Sequence, residues 1–146
     1  MQKKLILAVD DAAITLSRIV DTLQNDYEVV TANSGPRALK FLEKQKPDLI
    51  LLDIKMSPMD GLKTLKEIRS ITNRSDIPVI MLTGMEDKKS VLDCAKLGIC
   101  DYVLKPFAEE DLLSRIRRVF ESGGHGIGTG IYQINTHWVF HVNFFT

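Results

Sequence analysis

Two rhythms of apolar and polar positions alternate between Lys4 and about Glu121. One is a short, nearly unbroken apolar run, the mark of a strand buried on both faces. It appears as "KLILAV" (Lys4–Val9), "YEVVTA" (Tyr27–Ala32), "PDLILLD" (Pro47–Asp53), "IPVIMLT" (Ile77–Thr83) and "DYVLKP" (Asp101–Pro106). The other is apolar residues at helical spacing. Ile14, Leu16, Ile19, Val20 and Leu23 follow the first run. "SGPRALKFLEKQ" follows the second, with Pro36 tolerated in its first turn. Leu62, Leu65 and Ile68 predict a third helix, and Val91, Leu92, Ala95 and Leu97 a fourth, with Gly98 placed for a left-handed C-cap. Leu112, Leu113, Ile116, Val119 and Phe120 predict a last amphipathic helix.

Strict alternation of strands and helices implies a parallel sheet covered by helices on both faces. Ligands in such folds bind beyond the carboxyl ends of the strands, at a topological switch point. The residues at those ends are therefore the candidates for chemistry. The first strand ends in Asp10 and Asp11, the third in Asp53, the fourth in Thr83 and Gly84, and the fifth in Lys105 and Pro106. The second ends blandly at Thr31, Ala32 and Asn33, as suits an edge strand. After Asp53 the loop holding Lys55, Pro58 and Gly61 is expected to bend so that the carboxylate stays reachable.

Composition changes the picture at one place. All of the Asp, Glu, Lys and Arg residues lie at or before Glu121. The segment from Ser122 to Thr146 has none, yet it holds all 3 His and the only Trp. A break this sharp marks a boundary, so residues 1–121 are read as the domain and 122–146 as a separate tail. The formal net charge is +0, which favours neither nucleic acid nor an acidic membrane surface. No apolar run reaches membrane-spanning length, and the run after Lys3 and Lys4 is too short for a signal-peptide core. The expected location is the cytoplasm. Cys94 and Cys100 fit no disulfide framework and no zinc spacing, and are expected to be reduced thiols.

Three carboxylates converging on one crevice repel one another, so two could share a proton or a cation could hold all three. All-oxygen ligands suit a hard cation such as Mg²⁺. Lys105 adds a compact positive charge suited to phosphate, and Thr83 a hydroxyl donor. Asp is a covalent nucleophile toward phosphorus in aspartyl-phosphate chemistry. Together these residues describe a site for a carboxylate nucleophile, Mg²⁺ and a phosphoryl group. The plainer alternatives are Asp10 and Asp11 as helix caps, Thr83 and Tyr102 as ordinary strand residues, and Lys105 as a solvated lysine.

"VDDA", "LLDIKMSPMDG", "MLTG" and "DYVLKPF" stand in this order, each at a strand end. With these four blocks the chain resembles the receiver domain of bacterial two-component response regulators, from Lys4 to about Glu121. The resemblance implies a flavodoxin-like (βα)5 doubly wound sheet of strand order 2-1-3-4-5. It implies that Asp53 is the phosphoacceptor, that Asp10 and Asp11 bind Mg²⁺ with Asp53, and that the Lys55 backbone carbonyl completes the protein's share of the coordination. Lys105 would contact the phosphoryl group, Thr83 and Tyr102 would form the switch pair, and Lys105-Pro106 would be a cis bond. One departure is visible: the proline of the loop, Pro58, stands one residue later than in the family's usual pattern, although the length to Gly61 is kept.

The resemblance further implies a sensor histidine kinase or phosphotransfer protein as phosphoryl donor and an unknown downstream protein partner. It implies no turnover beyond the domain's own phosphorylation and dephosphorylation, and leaves a homodimer open. Two rivals stand beside it. An aspartyl-phosphate phosphatase of the dehalogenase type usually has a second Asp two residues after its nucleophile, where Lys55 stands here. A phosphate-independent binding module would keep the pocket without the chemistry. The helix after "DYVLKP" is expected to end in a solvated turn carrying Arg115, Arg117 and Arg118, where cations suit the helix dipole. In the tail, Gly123 to Gly130 reads as a linker and Ile131 to Phe145 as β-prone. A cloning-derived or frame-shifted segment, the start of a further domain, and an interaction strand pairing with another chain all stay open for it. A metal pair of His137 and His141 is disfavoured on a β-prone segment.

Overall fold

The computed structural model describes residues 2–123 and the backbone of two short strands, Ile131–Ile134 and His137–Phe140. The elements in chain order are β1 (Leu5–Val9), α1 (Ala13–Leu23), β2 (Glu28–Ala32), α2 (Gly35–Leu42), β3 (Leu49–Leu52) and α3 (Gly61–Ser70). They continue with β4 (Val79–Thr83), α4 (Lys88–Lys96), β5 (Asp101–Leu104), α5 (Glu109–Glu121), β6 (Ile131–Ile134) and β7 (His137–Phe140). β1 to β5 form one parallel sheet of order β2-β1-β3-β4-β5, the expected flavodoxin-like topology.

Side chains alternate across each strand, and this splits the core in two. Leu7 and Val9 of β1, Ile50 and Leu52 of β3, and Val79 and Met81 of β4 face α2, α3 and α4, where they meet Ala38, Leu42, Leu65, Ile68 and Val91. Their neighbours Ile6, Ala8, Leu49, Leu51, Ile80 and Leu82 face the other way, onto Leu16, Ile19 and Leu23 of α1 and Leu112, Ile116 and Val119 of α5. Each such aliphatic side chain contributes about 1.5–3 kcal/mol when fully buried. That is why the strands read as unbroken apolar runs and the helices as stripes.

The helix starts are set by side-chain caps. Ser34 accepts from the Arg37 N–H at α2, Asp60 from Lys63 at α3 and Asp87 from Ser90 at α4. Gly98 follows α4 at φ +80, the left-handed stop its position predicts. The helix expected to reach Gln45 ends at Leu42, and Lys44 and Gln45 instead donate to the Phe41 carbonyl in a turn. Pro47 lies just beyond and disfavours helical geometry in the residue before it. Among the described residues no helix is long and apolar enough to cross a membrane.

β6 and β7 pair with each other, antiparallel, as a two-stranded sheet. The expected β structure of the tail is therefore present over these eight positions, and β7 runs within 8 Å of β5 between Cα atoms. The pairing seen is between β6 and β7 of the same chain, whereas the expected pairing is with another chain. His137 lies on β7, whereas His141 and the Gly-rich segment 124–130 lie outside the described residues.

Candidate functional site

β1 and β3 are neighbours in the sheet, so their carboxyl ends bring Asp10 and Asp53 side by side. The Asp53 N–H donates to the Val9 carbonyl at 3.0 Å and the Asp10 N–H to the Ala32 carbonyl at 3.1 Å, extending the ladder one residue past the strands. Asp11 follows on the loop into α1. Carboxylate oxygens of Asp10, Asp11 and Asp53 lie within 4.8 Å of one another. Asp10 and Asp53 are buried, at 2% and 5% exposure, while Asp11 stands at the open rim.

Lys105 reaches this cluster from β5 across the end of β4. Its N–H donates to the Thr83 carbonyl at 2.9 Å, which fixes its backbone beside β4. Its Nζ donates to Asp10 Oδ2 at 2.6 Å and to Asp53 Oδ2 at 3.2 Å. The Lys105-Pro106 bond is cis, as the resemblance implies. Burial alone would lower the Lys105 pKa, but the two carboxylates together outweigh it and raise it above the ordinary lysine value. Asp10 is also pushed up. Burial is the largest cause, and the Lys105 hydrogen bond opposes it without cancelling it.

The site opens into a cavity of about 400 Å³ lined by the three Asp residues with Ala12, Lys55, Gly84, Met85 and Lys105. Three carboxylates against one ammonium leave negative charge uncompensated. A divalent cation fits that balance and that all-oxygen donor set. Lys55 lines the same cavity, and its backbone carbonyl accepts no hydrogen bond among the described residues. Asp10 also accepts from the Ala12 N–H at 2.9 Å, so the capping reading and the site reading hold for one residue together.

The β3–α3 loop explains why Gly61 stands where it does. A Cβ on Gly61 would lie 1.9 Å from the carbonyl oxygen of Asp53 and 2.7 Å from Ile54 Cα. The Gly61 N–H donates to the Ile54 carbonyl at 2.7 Å. The first turn of α3 thus packs directly on the backbone of Asp53, the residue that follows β3. The proline that comes one residue late is met by a cis Ser57-Pro58 bond. Ile54 and Met56 bury themselves on either side of exposed Lys55.

Residues 6–117 match the family model of the response regulator receiver domain. The chain belongs to the response-regulator receiver family. A probable transcriptional regulator, ycf27, of Porphyridium aerugineum is 38% identical over 121 residues, covering 82% of this chain and 49% of that protein. The chain therefore spans about half the length of the curated relatives it matches. Among solved structures, the chemotaxis protein CheY4 of Vibrio cholerae superposes with a TM-score of 0.76 at 32% identity, covering 80% of this chain and 98% of that one. The receiver domain of a sensor histidine kinase of Pseudomonas aeruginosa, solved with a magnesium ion coordinated in its active-site cleft, gives 0.73 at 30% identity, covering 80% and 96%.

In this receiver Thr83 and Tyr102 meet at one residue. The Met85 N–H donates to Thr83 Oγ1 at 3.3 Å, and the Tyr102 hydroxyl donates to the Met85 carbonyl at 2.6 Å. Thr83 is fully buried and Tyr102 nearly so. Burial raises the Tyr102 pKa well above the ordinary phenol value, so the hydroxyl keeps its proton and remains a donor.

The structure corrects the reading of Arg115. It is half-buried, not solvated, and donates to Asp101 at 2.8 and 2.9 Å and to Asp111 at 2.9 Å. Burial raises the Asp101 pKa even so, against the lowering by Arg115. Arg117 and Arg118 are exposed, as expected. Arg69 was also not singled out by the sequence. It donates to the carbonyls of Ser75, Ile77, Leu97 and Gly98 and so ties α3 to the segments that enter β4 and leave α4. Asp111 is a local i,i−4 partner of Arg115, but its Asp101 partner and the carbonyls that Arg69 meets are set by the tertiary fold.

Proposed function

We propose that Asp53 is the phosphoacceptor of a two-component switch. The observation that carries this is the buried Asp53 carboxylate at the cavity floor, bonded to Lys105 and clustered with Asp10 and Asp11. A carboxylate oxygen of Asp53 attacks the phosphorus of a phosphohistidine on a sensor kinase or phosphotransfer protein. The O–P bond forms, the P–N bond breaks, and the electron pair stays with the imidazole nitrogen, which takes up a proton. Lys105 keeps a positive charge beside the oxygens of the transferring group. Asp10, Asp11, Asp53 and the Lys55 carbonyl would hold Mg²⁺, which when bound offsets negative charge on the phosphoryl oxygens.

Phosphorylation adds roughly −1.5 to −2 charges at Asp53, by analogy with other phosphorylated side chains. The Thr83 hydroxyl, now bonded to the Met85 N–H, is the donor placed to turn toward the new group. Tyr102 holds the carbonyl of the same Met85, so a shift of that residue reaches the face made by α4, β5 and α5. Output passes from that face by contact with a partner protein or with a further domain, and the only covalent chemistry is the domain's own phosphorylation and dephosphorylation. Ile14, 86% exposed on the first turn of α1 close to Asp11, supplies apolar surface near the cavity mouth for the donor protein. Residues 1–121 form the receiver unit, acting in the cytoplasm, with 122–146 as a separate segment.

Borohydride reduction after treatment with acetyl phosphate converts a phosphorylated aspartate to homoserine. Peptide mapping should place the product at position 53. A product at position 10 or 11, or retained labelling in Asp53→Ala, would overturn the assignment.

A further inference from the structure

Lys105 is held by its contacts to Asp10 and Asp53, yet both carboxylates belong to the set that would bind the cation and accept the phosphoryl group. What keeps the β5–α5 loop in register with the β1–α1 loop when those contacts are exchanged is a second attachment, remote from the chemistry. Arg18 of α1 donates from Nη2 to the Phe107 carbonyl at 2.5 Å, across 89 residues of sequence. Its guanidinium carbon also lies 4.3 Å from the centroid of the Phe107 ring. Phe107 is itself buried at 4% exposure, two residues after Lys105. Arg18 has no carboxylate partner among the described residues, so its charge is directed to this one carbonyl and this one ring.

The β5–α5 loop is thus held at two points, to the β1–α1 loop and to α1. One joint, Lys105 to Asp10, lies in the site. The other, Phe107 to Arg18, lies behind it. α1 is continuous with Asp10 through Ala12, whose N–H donates to Asp10 and whose carbonyl accepts from Leu16. A displacement of α1 therefore carries Asp10 with it. We infer that Arg18 is a positioning residue for phosphoryl transfer, clamping the Lys105–Phe107 loop to α1 so that the Lys105 ammonium stays aligned with the Asp53 oxygens while the contacts in the site change. This rests on the phosphoacceptor reading of Asp53.

The test is a double-mutant cycle read as the initial rate of phosphorylation by acetyl phosphate, a donor that needs no protein docking surface. Arg18→Met keeps most of the aliphatic stem and removes the donor and the charge. It should slow wild-type phosphorylation by about tenfold, within the range that misplacement from a remote position produces. In a Lys105→Ala background the same substitution should change the rate by less than about twofold, because the group it aligns is gone. Arg18→Lys restores a cationic donor and should recover part of the rate. Equal slowing in both backgrounds would make Arg18 a general brace and overturn the inference, as would an unchanged rate in Arg18→Met. Should Arg18→Met fail to fold, Arg18→Lys and Arg18→Gln run through the same cycle decide the matter by the same criterion. Unlabelled wild-type protein would remove the phosphoacceptor reading itself, whereas labelled wild type with an equally labelled Arg18→Met removes only the role of Arg18.

Discussion

Replacing Gly61 with Ala adds a single methyl group, and the structure makes that methyl costly. The new Cβ would lie 1.9 Å from the Asp53 carbonyl oxygen, 2.7 Å from the Asp53 carbonyl carbon and 2.7 Å from Ile54 Cα. All three are backbone atoms, so no side chain can swing away. Normal contact needs about 3.5 Å between heavy atoms, so the start of α3 must move outward by roughly 1.5 Å. That movement strains or breaks the 2.7 Å bond from the Gly61 N–H to the Ile54 carbonyl. Overpacking of this kind costs about 1–3 kcal/mol and the lost hydrogen bond about 1 kcal/mol more. For a domain of this size the combined 2–4 kcal/mol is a fall in Tm of roughly 6–20 °C. Gly84, beside the same cavity, has nothing within 4 Å of a built Cβ, so Gly84→Ala is the matched control and should cost less than about 1 kcal/mol. Thermal melts followed by far-UV circular dichroism, with acetyl phosphate labelling at a temperature where both variants are folded, read the two effects. Gly61→Ala should also label more slowly, because the carbonyl it displaces belongs to Asp53. A Gly61→Ala melting point within about 2 °C of wild type would refute the close-approach argument.

Arg115→Met leaves the buried Asp101 carboxylate without its cation and should cost about 3 kcal/mol in urea unfolding, while Asp101→Asn combined with Arg115→Met should recover part of that loss. A single-variant loss below about 0.5 kcal/mol would place the pair with ordinary surface ion pairs. Burial pushes Cys94 from 9.0 up to about 12 and Cys100 from 9.0 up to about 11. Above pH 9 the unfolded chain therefore loses thiol protons that the folded chain keeps, and stability falls as pH rises from 9 toward 11. At about 1.4 kcal/mol for each pH unit of difference, the loss by pH 11 is roughly 2–3 kcal/mol per thiol. The slope of Tm against pH should flatten above pH 9 in the Cys94→Ala, Cys100→Ala double variant, and an unchanged slope would contradict the burial argument.

The sheet was legible because each strand of β1 to β5 is a short apolar run and each intervening helix shows a stripe, so element type and order followed from period alone. The site was legible because strand ends in this topology converge. Asp10, Asp53, Thr83 and Lys105 stand far apart in sequence, yet each follows or closes an apolar run. The chemistry of those residues then narrowed the function without any knowledge of distances. What escaped were pairings fixed only by the packed fold. Arg115 reads as one more cation in a helix end, and nothing local says that it turns toward Asp101. Arg69 and Arg18 bond to carbonyls, and every residue offers a carbonyl, so sequence carries no sign of which one is met. Gly61 was read as part of a bend that leaves Asp53 reachable, whereas its φ is not positive and the requirement is the close approach of the Asp53 backbone.

The central claim is that the cavity phosphorylates its own Asp53 with the help of a divalent cation. Intact mass of the full chain after incubation with acetyl phosphate, with Mg²⁺ and with a chelator in its place, tests it most directly. The account predicts a gain of one phosphoryl group that needs Mg²⁺ and is absent in Asp53→Ala. No gain in the wild-type protein under either condition, or the same gain in Asp53→Ala, would contradict it.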